Sequence, residues 1–200
     1  MILLIRHGET PGNAARVVQT PETPLSERGV GQARRLGARL AGEAVGGILA
    51  SDLERAAMTA RCVADATDAP ITFEPLLHER NFGDLRGTPY AELGVDLFAP
   101  ELVPPGGESW QTFHARVDRA WERILEEVAR TAGDLAVVTH GLVCLSITTR
   151  CAALSPTETP ELTGFANTSV TRIEHTPPHR VMLLDCTEHL TQVDRNGGRV

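Results

Sequence analysis

The chain has 200 residues, 42% of them apolar, and carries 26 acidic against 19 basic side chains for a formal net charge of −7. That length fills one core well and two independent domains poorly, and the interspersed charges leave no positive footprint for a nucleic acid. All 19 basic residues are arginine, which excludes every mechanism that runs through a lysine, from Schiff bases to lysine-bearing phosphate loops.

In chain order, residues 1–6 are an apolar run that ends abruptly in His7, Gly8, Glu9 and Thr10, which predicts a buried strand opening into a polar loop. The run is far shorter than a signal peptide or a membrane span, so no membrane association is expected and the expected location is the cytoplasm. Residues 26–41 place Ala33, Leu36, Ala38 and Leu40 among arginines behind Ser26, which predicts a serine-capped amphipathic helix. A second strand is expected at 46–50. Ser51 with Glu54 three residues on then reads as a capping box for an alanine-rich helix over 53–66. A short third strand follows at 71–73.

Residues 83–108 gather Gly83, Gly87, Pro89, Gly94, Pro100, Pro104, Pro105, Gly106 and Gly107, which predicts an irregular insertion or lid of the kind that often carries function. Phe113, Val117, Trp121, Leu125 and Val128 form one stripe of a helix over 110–129. A strand at 135–139 runs directly into His140 and Gly141, followed by an apolar helix over 142–154. Two β-prone runs at 169–173 and 181–184 complete the sheet, and the polar end from Asp194 is expected to fray. Cys62, Cys144, Cys151 and Cys186 have neither metal nor redox spacing and read as packing residues. His175, His179 and Cys186 are a poor metal set, because Pro177 and Pro178 break any helical presentation.

Alternation of this kind predicts an α/β fold, a three-layer α/β/α sandwich whose mostly parallel sheet is covered on both faces. One domain is expected over 1–200. In open α/β sheets the ligand lies beyond the carboxyl ends of the strands, where three predicted strands end at His7, Ser51 and His140. Arg6 adjoins His7, Asn13 follows in the loop, and Arg55 falls in the first turn of a helix whose positive end attracts anions. Each residue alone has a plain reading, as a core histidine bonded to a carbonyl or as a solvated arginine beside a capping box. Two histidines at two strand ends with two arginines nearby favour an anion site.

Leu4-Ile5-Arg6-His7-Gly8-Glu9-Thr10 with Asn13 resembles the signature of the histidine phosphatase superfamily, whose members include the cofactor-dependent phosphoglycerate mutases. Five further blocks follow in order. They are 23–33, Ala50 to Ala60, Leu77 to Gly83, Gly106-Gly107-Glu108-Ser109, and Val137 to Gly141, with Asn167-Thr168-Ser169-Val170 fitting a late strand. About four-fifths of the chain is spanned.

The resemblance implies a phosphoglycerate mutase-like fold, His7 as nucleophile, and Arg6, Arg55 and His140 around the phosphoryl oxygens. It implies Glu79 as the general acid and base, with Glu108 the rival carboxylate. Substrate contacts are implied for Arg6, Asn13, Arg55, Arg80, His140 and Gly141. The expected activity is metal-independent hydrolysis of a small phosphate monoester by an enzyme of the histidine acid phosphatase type, with no cofactor, no metal, no nucleic acid and room for a homodimer. Two alternatives stand beside it, mutase-type transfer and a non-catalytic phospholigand binder. Hydrolysis is favoured because the insertion from Gly83 to Pro105 holds only Arg86 as a basic residue and Asn81-Phe82 stands where mutases usually have His-Tyr. His140 is expected to be protonated, and the cationic pocket is expected to lower the Glu79 pKa unless desolvation prevails. Tyr90, Phe98 and Trp110 are candidate rim residues for an apolar or planar part of the substrate.

Overall fold

The computed structural model describes residues 1–154 and 162–191; the fraying expected from Asp194 lies outside them. Six strands form one sheet: β1 (Ile2–Arg6), β2 (Val45–Ala50), β3 (Ile71–Phe73), β4 (Asp134–Thr139), β5 (Val170–Ile173) and β6 (Val181–Cys186). Their order is β3-β2-β4-β1-β5-β6. The first four are mutually parallel, and β5 and β6 are added antiparallel at one end.

β1 lies between β4 and β5, so both its edges are paired, and with helices over both faces all five residues are buried. The two-residue period of a strand sends alternate side chains to opposite faces. Ile2 and Leu4 join the core under the helices α4 (Trp110–Val128) and α5 (Gly141–Arg150), with Phe113, Val117, Val143 and Ile147. Leu3 and Ile5 join the core under α2 (Glu27–Leu40) and α3 (Glu54–Thr67), with Leu36, Leu40, Ala60 and Val63. The expected three layers follow from that division.

Ser26 caps α2 as expected, its side chain accepting the Gly29 N–H. The same turn packs tightly on the loop after β1. A Cβ on Gly29 would stand 1.9 Å from the Glu9 carbonyl oxygen, and one on Gly8 would stand 2.7 Å from the Gly29 oxygen. Two backbones meet there because neither residue has a side chain.

Three local readings change. Ser51 does not cap α3: that helix begins at Glu54 behind Leu53, which offers no side-chain bond, and the Ser51 hydroxyl is engaged by a tertiary partner instead. The loop after His7 contains a one-turn helix, α1 (Pro11–Ala15), with Pro11 at its start and a reciprocal capping box between Thr10 and Asn13. α5 stops at Arg150 instead of 154, because the Ala153 N–H is taken by the His179 carbonyl at 3.0 Å. All four cysteines are free, Cys144 and Cys186 buried and Cys62 and Cys151 partly so. Among the described residues no helix is long and apolar enough to cross a membrane.

Candidate active site

β1 and β4 are adjacent and in register, and the chain leaves both at the same edge, so His7 and His140 emerge side by side with ring centroids 5.1 Å apart. The His7 backbone is clamped from three directions. Its N–H donates to the Thr139 carbonyl (2.9 Å), and its carbonyl accepts from Asn167 Nδ2 (3.0 Å) and the Thr168 N–H (3.3 Å). Gly8 and Glu9 N–H donate to Thr59 Oγ1 (3.1 Å) and Gln32 Oε1 (2.8 Å).

The imidazole of His7 is oriented by a 2.7 Å contact from Nδ1 to the Gly8 carbonyl. A carbonyl only accepts, so Nδ1 carries the hydrogen and Nε2 keeps its lone pair. Burial, then Arg55 and Arg6, push the His7 pKa well below 6.5 against the opposing bond to Gly8. The ring is therefore neutral at physiological pH, with the Nε2 lone pair available.

Arg6 is buried beside it and donates to the Phe165 carbonyl. Arg55 sits in the first turn of α3 and donates to the Thr20 carbonyl at 3.1 Å. Burial lowers its pKa to about 10, with Glu79 opposing and Arg6 and Arg86 adding, so it remains cationic at neutral pH. Its Nε–H is buried without a hydrogen-bond partner among the described residues, and so is His140 Nδ1. Buried polar atoms left unpaired are costly, and of these two residues it is Arg55 that lines the cavity and could offer its donor to an anion there.

His140 Nε2 pairs with Ser51 Oγ at 2.8 Å. Its pKa is well below 6.5, from burial first and then Arg55 and His7. The expectation of a protonated His140 is thus corrected, because burial beside cations disfavours the imidazolium.

Glu79 accepts from the Arg80 N–H (2.9 Å, Oε1) and from the Leu142 N–H (3.1 Å, Oε2) at the open start of α5. Both bonds and the two arginines favour the carboxylate, yet its pKa is raised, because desolvation outweighs them. The segment that presents it is cradled by Arg116, whose guanidinium donates to the carbonyls of Leu76 (2.8 Å), His78 (2.8 Å) and Glu79 (3.3 Å). Glu108 is differently placed. Burial pushes its pKa up, but two 2.8 Å bonds from Arg116 and one from the Asn81 N–H bring it below the usual value. Glu108 is a structural anion holding Arg116 and does not line the cavity.

A cavity of about 50 Å³ is lined by Arg6, His7, Asn13, Arg55, Glu79 and Gly141, among others; His140, expected to touch the substrate, is not among them, although its ring lies 5.1 Å from that of His7. Asn13 Oδ1 accepts from the Thr10 N–H (3.2 Å) and Asn167 Nδ2 (3.3 Å), which leaves the amide hydrogens as what it can offer a ligand. Tyr90 and Phe98 reach the cavity from residues 83–108, as does Arg86; Trp110 does not and lies instead under the Arg80 guanidinium. Arg86 and Gln19 line it without having been singled out, although Arg86 was visible as the one cation of the insertion.

Arg80 is held otherwise than the resemblance implies. It borders the cavity, but its guanidinium donates to the carbonyls of Glu108 (3.2 Å), Leu97 (3.1 Å) and Leu102 (2.6 Å) and lies 4.0 Å over the Trp110 ring. It ties the irregular segment down across the site. Arg80→Ala is expected to cost about 1–3 kcal/mol, since hydrogen bonds to charged groups contribute on that order. Limited proteolysis should then cut within 97–102, and unchanged protease resistance would remove the tether.

The model of the histidine phosphatase superfamily (branch 1) matches residues 2–185. The chain belongs to that superfamily. Among curated relatives within it, the adenosylcobalamin/alpha-ribazole phosphatase of Salmonella typhimurium is 35% identical over 155 residues, 72% of this chain and 76% of that one. A probable phosphoglycerate mutase, GpmB, of Yersinia pestis is 30% identical over 189 residues, 87% of this chain and 84% of that one. Among solved structures, a putative alpha-ribazole-5′-P phosphatase of Escherichia coli superposes with a TM-score of 0.79 at 29% identity, covering 92% of this chain and 95% of that one. Histidine phosphatase relatives of both kinds, phosphatase and mutase, are therefore similar to this chain.

Proposed function

We propose that this protein is a metal-independent phosphomonoesterase that hydrolyses a small phosphorylated metabolite through a phosphohistidine on His7. The observation that carries the reading is the Nδ1 contact of His7 to the Gly8 carbonyl, which leaves a neutral Nε2 in a cavity with two arginines and a carboxyl of raised pKa.

In the first step the Nε2 lone pair attacks phosphorus, the ester P–O bond breaks, and the Glu79 carboxyl gives its proton to the departing oxygen. Charge spread over the equatorial oxygens is met by Arg6, Arg55 and the Asn13 amide, preorganised donors of the kind that supply most of phosphoryl-transfer catalysis. In the second step the Glu79 carboxylate takes a proton from water, the water oxygen attacks phosphorus, and the P–N bond breaks. Inorganic phosphate leaves, and His7 and Glu79 are restored.

Commitment of Arg80 to lid carbonyls favours hydrolysis over transfer, because that guanidinium is not offered to a glycerate carboxylate. The similarity to a probable mutase keeps transfer as the second reading. The deciding assay follows 4-nitrophenyl phosphate and 3-phosphoglycerate with excess EDTA. Stoichiometric release of inorganic phosphate from the aryl ester without phosphoglycerate interconversion is the expected result. Interconversion primed by a bisphosphoglycerate, with little free phosphate, would establish the mutase instead.

A further inference from the structure

The catalytic cavity, about 50 Å³ in volume, takes a phosphoryl group and little else, whereas sites for whole metabolites run to several hundred Å³. The rest of the ester has to lie outside it. The departing oxygen must be within hydrogen-bond reach of Glu79, and Glu79 Oε2 is bonded to the Leu142 N–H. Leu142 together with Phe98 forms a wall shared by the cavity and a neighbouring groove of about 360 Å³ between α4, α5 and the lid.

That groove is faced by rings. Trp110 and His114 are stacked with centroids 5.6 Å apart and planes 23° from parallel, and Leu145 completes an apolar floor. The rings are fixed in place: Trp110 Nε1 donates to the Ala99 carbonyl at 2.9 Å, Arg80 packs over the same indole, and His114 Nδ1 is paired with Ser146 Oγ at 3.0 Å. Burial, then Arg150, lower the His114 pKa below 6.5, so the ring it presents is neutral. Two other grooves border the cavity: one of about 270 Å³, walled by residues 11–23 and Gly87, has no aromatic ring, and one of about 410 Å³ sets the single His78 imidazole among Glu22, Asp52 and Glu54, carboxylates that suit a phosphate ester poorly.

Resting on the phosphatase reading, we propose that the Trp110–His114 groove is the leaving-group subsite and takes a planar heteroaromatic ring carried by the phosphate ester. Aromatic and apolar walls that share Leu142, the partner of Glu79, with the cavity favour a nucleoside-like leaving group over an acyclic or plain sugar one.

Adenosine 5′-monophosphate and ribose 5-phosphate test this, because both are esters of a primary alcohol and differ in the ring. The expected kcat/KM ratio is about tenfold in favour of the nucleotide, of the order that burying part of one ring in an apolar groove supplies. Thr149→Trp, placed at the exposed edge of the groove, should collapse the ratio toward one, while ribose 5-phosphate turnover reports that fold and cavity survive. A wild-type ratio near one, or a ratio indifferent to Thr149→Trp, overturns the subsite. Absence of turnover with every ester, 4-nitrophenyl phosphate included, would count against the phosphatase reading alone. The subsite is then decided by binding: adenosine should quench tryptophan fluorescence saturably in the wild type and not in Trp110→Phe, and no saturable quenching overturns it whatever the activity.

Discussion

Replacing His7 by alanine is expected to abolish release of inorganic phosphate from 4-nitrophenyl phosphate, a fall in kcat of at least about 10⁴-fold, since loss of a covalent nucleophile removes the reaction path itself. The arginines are left in place. Arg6 and Arg55 are anchored by the Phe165 and Thr20 carbonyls, not by His7, so the variant should still bind phosphate with an affinity within about tenfold of the wild type. Rapid acid-free quenching of wild-type turnover should trap a base-stable phosphoprotein that His7→Ala does not form. A variant that retains a tenth of wild-type turnover would show that phosphorus is attacked by something other than His7.

Glu79→Gln is expected to lower kcat by about 10²- to 10⁴-fold with an alkyl phosphate, and less with an aryl phosphate whose leaving oxygen needs little help from an acid. The pH profile carries the sign. In the free enzyme the productive state has His7 neutral and Glu79 protonated. Activity is therefore gained as pH rises through the depressed His7 pKa, below 6.5, and lost as pH rises through the Glu79 pKa, which desolvation lifts above 4.5. The optimum in kcat/KM should lie on the acid side of neutrality, and the alkaline limb should vanish in Glu79→Gln. A wild-type rate climbing steadily through pH 9, or a variant that keeps the alkaline limb, would remove Glu79 from the role of acid.

Much of this arrangement was legible along the chain, and what was not has identifiable physical causes. The strand ends at His7 and His140 are visible because a buried parallel strand is a short apolar run and its exit is marked by a change of polarity. Ser26 is a correct cap because its partner, Gly29, is three residues away. Ser51 with Glu54 presents the same local pattern and misleads, since His140, 89 residues distant, claims the hydroxyl. α1 escaped notice although Pro11 and the Thr10–Asn13 pair announce it, because five residues are too few for periodicity to register.

Arg80 shows the limit most clearly. Its three carbonyl partners belong to residues 97, 102 and 108, in a segment whose path follows no repeating pattern. Asn167, Thr168, Thr59 and Gln32 stood out in the sequence only as members of matching blocks; their task of gripping the backbone of residues 6–9 is a matter of tertiary contact. The direction of the Glu79 shift was undecidable from composition, because it is a difference between opposing effects whose sizes depend on burial.

The central position of β1 has a consequence for the timing of assembly. Its flanking partners are β4 and β5, and the amide that holds the His7 carbonyl lies 160 residues further along the chain. Contacts of such sequence separation close late and slowly. A growing chain must therefore extend 160 residues past His7 before that clamp can close. Recovery of turnover after dilution from denaturant should for the same reason trail the return of helical signal, making catalysis a report on completion of the sheet.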